Sequence, residues 1–205
     1  QQTLQQAVGF DSAFSAFAAD CIKQSSCVLN GDVATQIKTK LAELRKNPLE
    51  VGNRKLTESL AMYGIAFGLY DQEYGWPVLR KALNDLFNSD GKALLTMADE
   101  YNRRDSNGNY TSNDASSLSV ISCADFPPSG IDQEAIKSAA PIFGRYLMYS
   151  EMDCQYLPKP KYELITGPIA MKSKVMVIGT TNDPATPYQW AVKLSEILLN
   201  SILIT

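Results

Sequence analysis

Apolar residues recur along the first three quarters of the chain at spacings that place them on one side of a helix. In FDSAFSAFAADCI, Phe10, Phe14, Phe17 and Ala18 fall at i, i+4, i+7 and i+8, which predicts an amphipathic helix. DVATQIKTKLAELRK repeats the pattern with Val33, Ile37, Leu41 and Leu44; its basic end suits a helix C-terminus, and Pro48 closes it. TESLAMYGIAFGLY is apolar nearly all round and predicts a central helix. There Gly64 and Gly68 lower the helix propensity but leave room for a neighbouring helix. WPVLRKALNDLFNSD sets a proline in the first turn and Leu79, Leu83 and Leu86 along one side. GKALLTMADEYNRR predicts a further helix, and DQEAIKSAAPIFGRYL another that Pro141 disturbs. Between these two, DSNGNYTSNDASS is rich in turn formers and reads as a loop. Its Asp and Asn spacing hints at calcium, but glycine falls at the wrong position for an EF-hand loop and no glutamate follows at the right distance.

The pattern then changes. LPKPKYELITGP is proline-rich and extended, KVMVIGT predicts a strand, PYQWAVKLSEILLN has helical spacing at Trp190, Leu194, Ile197 and Leu198, and SILIT predicts a second strand. This strand-loop-helix-strand order is the repeating unit of an α/β sheet. Two such strands lack the neighbours and the second helix layer that a parallel sheet requires. The fold class expected is therefore mainly α, followed by an incomplete piece of α/β sheet whose remaining strands lie in other polypeptide.

Composition narrows the function. The chain of 205 residues is 45% hydrophobic and 20% charged, as in ordinary globular proteins. A net charge of -3 with no basic cluster argues against nucleic acid as a partner. No stretch reaches the ~18 consecutive apolar residues of a membrane span. The opening QQTLQQAVGF is polar, unlike a secretion leader, so export needs a leader upstream of it. Cys21 and Cys27 lie in a polar, turn-like stretch, and Cys123 and Cys154 in loop-like surroundings. An even count in such places suggests two disulfides, paired 21–27 and 123–154, and an extracellular, secreted or cell-surface protein; four buried reduced thiols are the alternative. With no histidine and no CxxC pair, the usual mixed zinc sites are excluded, and no cofactor is implied.

VMVIGTTNDPATPYQWA, with its Gly-Thr-x-x-Asp-Pro-x-Thr-Pro turn, resembles the C-terminal segment of secreted α/β-hydrolase exopeptidases of the tripeptidyl aminopeptidase type. FDSAFSAFAADC, LYDQEYGWPVLRKAL, SVISCADFP and DCQYLP resemble landmarks of the helical cap inserted before that strand. The resemblance implies a cap over residues 1–160 and an acid-bearing α/β-hydrolase segment over 161–205. It implies that Asp183 is the acidic member of a Ser-Asp-His triad, accepting a hydrogen bond from the imidazole and stabilising the imidazolium. It also supports the 123–154 pairing and a peptide substrate. Against the catalytic role stands a plainer one, in which Asp183 caps the helix beginning near Pro187. Tyr63, Tyr70, Trp76 and Trp190 could line a peptide cleft or simply fill the core. Glu73, Asp99, Glu100 and Asp125 could meet a peptide N-terminus or lie in solvent.

Two parts of the chemistry are absent. There is no Gly-x-Ser-x-Gly to lift a nucleophilic serine above the sheet, and there is no histidine to act as base. The expectation is a cap plus acid-bearing segment, inactive alone, whose N-terminal hydrolase core and C-terminal histidine loop lie elsewhere. A homodimer through the exposed strand Val175–Ile178 is a further expectation, since unpaired edges invite pairing. The alternative is a non-catalytic, mostly helical extracellular binding module. Thiol titration under denaturing, non-reducing conditions is expected to find no free cysteine; four free thiols would overturn the argument for export.

Overall fold

The computed structural model describes residues 2–126, 130, 132–148, 152–157, 159, 161–162 and 165–205. Helix α1 (Gln2–Cys21) is followed by α2 (Val33–Lys46), whose N-terminus is capped by Asp32 accepting from the Thr35 amide at 3.0 Å. A short antiparallel hairpin, β1 (Leu49–Val51) and β2 (Arg54–Leu56), turns at Gly52 with φ of +62°. The sequence reading passed over this hairpin, although glycine and asparagine between two short runs are its usual signal. Helix α3 (Glu58–Leu69) starts at the Thr57 cap, and α4 (Gly75–Phe87) and α5 (Lys92–Tyr101) pack around it.

Phe10, Phe14 and Phe17 of α1, Leu41 and Leu44 of α2, Ile65 and Leu69 of α3, Leu79 and Leu83 of α4 and Leu94 of α5 meet in one buried core. Gly64 and Gly68 explain why α3 can sit at its centre. A Cβ on Gly64 would run into the Leu94 carbonyl oxygen of α5, and one on Gly68 would lie 2.8 Å from Leu79 Cβ and Met97 Cε. Trp76 belongs to this core, 8% exposed and edge-on to Phe17, and borders neither of the two cavities described below.

Helix α6 (Asp114–Asp125) was not foreseen, and Cys123 lies in its last turn rather than in a loop. Leu118, Val120 and Ile121 of α6 are exposed and Cys123 is its buried residue, so its apolar positions face outward and not into the core. A disulfide joins Cys123 to Cys154 in the 3-10 turn Met152–Tyr156, and a second joins Cys21, the last residue of α1, to Cys27. Pro141 does more than disturb a helix: it separates α7 (Gln133–Ala139) from the one-turn α8 (Gly144–Leu147). The Asp11 carboxylate spans the break, accepting from the Ile142 and Phe143 amides at 3.0 and 2.8 Å.

The tail forms β3 (Val175–Ile178), α9 (Tyr188–Ile197) and β4 (Ser201–Ile204), with β3 and β4 parallel and Val175 opposite Ser201. Ile169 adds a bridge to Leu198. Gly179, at the end of β3, admits α9: a Cβ there would lie 2.7 Å from Ala191 Cβ. The molecule is thus mainly α with a partial α/β piece. Gly64→Ala is expected to lower stability by about 1–3 kcal/mol in urea unfolding, because overpacking against Leu94 exceeds the gain in helix propensity. An equal or raised midpoint would show that α3 and α5 can separate freely.

Candidate active site

The acid turn begins where β3 ends. Asn182 takes φ of +58°, the left-handed region that Asn tolerates better than most residues, and so aims the next residue back toward the helical layer. The Asp183 carboxylate then closes the turn on itself. Oδ1 accepts from the Ala185 and Thr186 amides at 2.9 and 2.7 Å, and Oδ2 accepts from the Thr186 hydroxyl at 2.8 Å. Pro184 is buried and Pro187 stands at the N-terminal cap of α9, so two fixed φ angles frame Ala185 and Thr186, whose amides the carboxylate accepts. The result is a half-exposed acid just past the carboxyl end of a parallel strand. A carboxylate has about four acceptor positions; the described residues use three of them, and the one they leave is on Oδ2.

Helix α1 holds this turn from the other side. Gly9 lies under it: a Cβ there would be 2.9 Å from the Pro184 carbonyl oxygen and 3.0 Å from Pro187 Cγ. The Gln6 amide donates to the Ala185 carbonyl at 2.9 Å, and the Trp190 indole donates to Gln5 Oε1 at 2.6 Å. Between α1 and the turn opens a cavity of about 390 Å³, bordered by Val8, Ser12, Asp183, Tyr188 and Trp190 among others. Trp190 therefore lines the cavity that Asp183 faces.

Tyr70 is near enough for the Asp183 charge to act on its phenol. Partial burial first, then the neighbouring Tyr101 and Asp183, push the Tyr70 pKa up, so it stays a neutral hydrogen-bonding group. Tyr63 stacks at an angle on Tyr101, 5.2 Å between ring centres, and is itself exposed. Tyr63, Tyr70 and Tyr101 thus form an aromatic patch beside the acid, while Trp76 stands apart in the core. The four acidic candidates do not converge. Asp99 is held by Arg54, with Nη2 to Oδ1 at 2.9 Å; Glu73 in the turn before α4, Glu100 on α5 and Asp125 at the end of α6 are exposed. Sequence reasoning missed Gln5, Gln6 and Gly9, which lie more than 170 positions from the turn they hold; nothing local marks them.

A family model described as TAP-like protein matches residues 140–205, the range that contains β3, the acid turn, α9 and β4. Residues 140–205 belong to the TAP-like family of α/β-hydrolases. Likeness to known proteins extends further along the chain than that. Over 98% of its length the chain is 31% identical to serine protease Hip1 of Mycobacterium tuberculosis, of which it covers 42%. Over 97% of its length it is 32% identical to carboxylesterase B of the same species, of which it covers 41%. The chain therefore spans less than half the length of either relative, and the helices ahead of the TAP-like residues align with both. Both relatives carry the names of hydrolytic enzymes, and the matched range contains Asp183 and its turn.

Gly9→Ala is expected to push the TAP-like acid turn off α1 and to cost about 1–3 kcal/mol. Gln5→Ala, which removes one exposed hydrogen bond, should cost less than about 1 kcal/mol. Urea unfolding followed by tryptophan fluorescence measures both. A Gly9→Ala chain as stable as the original would show that α1 and the turn are not in firm contact.

Proposed function

We propose that this chain supplies the cap and the acid-bearing segment of a secreted serine exopeptidase that releases short peptides from N-termini, with Asp183 as the acid of its triad. The observation that carries the reading is the state of the Asp183 carboxylate. It is fixed by two backbone amides and one hydroxyl, half exposed beyond a parallel strand, with one acceptor position of Oδ2 unused by the described residues. That is what holding an imidazole requires: a rigid negative group with one free acceptor position, which selects the tautomer and stabilises the imidazolium. The bonds on Oδ1 close the turn ahead of α9 and do not cap the helix, whose N-cap is Pro187 with no side-chain bond.

On this reading residues 1–160 are the cap and 161–205 the acid-bearing segment. The serine and histidine come from polypeptide outside these 205 residues, and the chain alone does not hydrolyse peptides. The patch of Tyr63, Tyr70 and Tyr101 then forms part of the peptide-facing wall. The outer face of the β3–β4 pair, with Met176, Ile178, Ile202 and Ile204 exposed, is covered by the hydrolase core, so a homodimer through Val175–Ile178 is the lesser alternative. The two disulfides support an oxidising, extracellular location.

The likeness to carboxylesterase B favours a second substrate class, since one fold and one triad serve esters and peptides alike. The test uses the full-length protein with tripeptidyl, dipeptidyl, aminoacyl and short-chain ester reporters. Asp183→Asn is expected to lower kcat by about 10⁴ at neutral pH with KM little changed, as loss of a triad acid does. A loss below about threefold would remove Asp183 from the chemistry. Ester turnover without cleavage of any peptide reporter would overturn the exopeptidase assignment and leave the hydrolase one.

A further inference from the structure

On the far side of the α7–α8 connection lies a cavity of about 550 Å³ that shares no lining residue with the one at Asp183. Four cations border it in a chain whose net charge is -3: Lys38 and Arg45 of α2, Lys137 of α7 and Arg145 of α8. A single carboxylate, Glu58, faces them. Glu58 is bound by Arg45, with Nε to Oε2 at 2.8 Å and NH2 to Oε1 at 3.0 Å, and by the Tyr146 hydroxyl at 2.8 Å. Burial alone would raise its pKa, but the hydrogen bonds from Arg45 and Tyr146 outweigh it and hold the group below the usual carboxylate range. Glu58 is therefore charged at neutral pH and satisfies Arg45. Lys137 is paired with Glu134 at 2.7 Å.

Two of the four cations have no hydrogen-bonded carboxylate among the described residues. Arg145 comes no nearer than 3.8 Å to Glu58 Oε1 and otherwise lies over the Tyr146 ring, with no hydrogen-bonded acceptor. Lys38 has only a longer-range interaction with carboxylates such as Asp11, whose oxygens already accept the Ile142 and Phe143 amides. Leu41, Ile142 and Met148 supply the apolar part of the lining. A guanidinium fork and an ammonium over an aliphatic floor match a group with one anionic head and a short apolar body.

We propose that this cavity binds a short-chain carboxylate. The assignment stands independently of the role of Asp183. Such a carboxylate could come from a free acid or from the C-terminus of a peptide; the peptide's ammonium end would meet the same cations, which favours the free acid.

Isothermal titration of the 205-residue chain with hexanoate, acetate, inorganic phosphate and trialanine tests this. Hexanoate is expected to saturate one site at least about tenfold more tightly than acetate, because its extra methylenes leave water. Phosphate and trialanine should bind more weakly than hexanoate. Arg145→Gln and Lys38→Gln, both at exposed positions, should each weaken hexanoate by about fivefold or more while leaving the circular dichroism unchanged. Arg145→Lys should restore part of the loss. Added salt should weaken binding. The proposal is overturned if hexanoate shows no saturation up to about 50 mM. It is also overturned if acetate, phosphate or trialanine binds as tightly as hexanoate, or if neither glutamine variant changes the affinity.

Discussion

One helix, α1, is pressed against the turn that carries Asp183, and the two could not be this close if residue 9 had a side chain. A methyl at Gly9 would stand inside the contact distance of the Pro184 carbonyl. The remaining contacts are polar and specific: Gln6 to the Ala185 carbonyl, Gln5 to the Trp190 indole. The same helix buries Phe10, Phe14 and Phe17 in the core and presents the Asp11 carboxylate to the amides that follow α7. A buried carboxylate costs desolvation, which raises the Asp11 pKa, and the two amides offset part of that cost. Three faces of a single helix thus refer the acid turn, the helical core and the α7–α8 connection to one another. A displacement of α1 would be felt at all three.

The turn itself makes two demands that coincide at residue 183. The turn ahead of α9 needs its own backbone amides satisfied, and the Asp183 carboxylate does this through Oδ1, accepting from Ala185 and Thr186. A triad acid needs to be immobile, because an imidazole held loosely gains little from its partner. The bonds that close the turn also immobilise the carboxylate, which is what the proposed catalytic role requires. The Tyr70 phenol completes the surroundings as a neutral neighbour, and no described cation competes for the charge of Asp183 at hydrogen-bonding distance.

Much of this was legible in the sequence because it rests on local rules. The i, i+4, i+7 spacing of Phe10, Phe14 and Phe17, the strand running into Gly179 and the proline-framed turn around Asp183 all follow from residues within a few positions of one another. What was not legible had a different physical origin. Helix α6 turns Leu118, Val120 and Ile121 to the outside, so its apolar periodicity points at nothing in the chain, and its described anchor is the Cys123–Cys154 bond. Trp76 looked as suitable for a cleft as Tyr63, and only the packing of Phe17 decides that it is core. Asp99 looked free until the hairpin brought Arg54 to it. Gln5, Gln6 and Gly9 were invisible as site residues because their partners lie at the other end of the chain.

The β3–β4 pair shows most directly what the helical layer alone does not provide. Side chains alternate across a strand, so with Val175 opposite Ser201 one face carries Val175, Val177, Ser201 and Leu203, and the other Met176, Ile178, Ile202 and Ile204. Val177 is buried, while Met176 is 61% and Ile178 68% exposed. Burying each such side chain fully is worth about 1.5–3 kcal/mol, and a parallel pair with one bare apolar face forgoes that gain several times over. Parallel strands are stable inside sheets covered on both sides. A β-α-β unit with only one covered face is therefore chemically unfinished in the same sense as a triad acid without its base. On the proposed reading, the polypeptide that brings the histidine to Oδ2 of Asp183 also brings the cover for Met176 and Ile178, and the hydrophobic free energy of that cover positions the ring against the carboxylate.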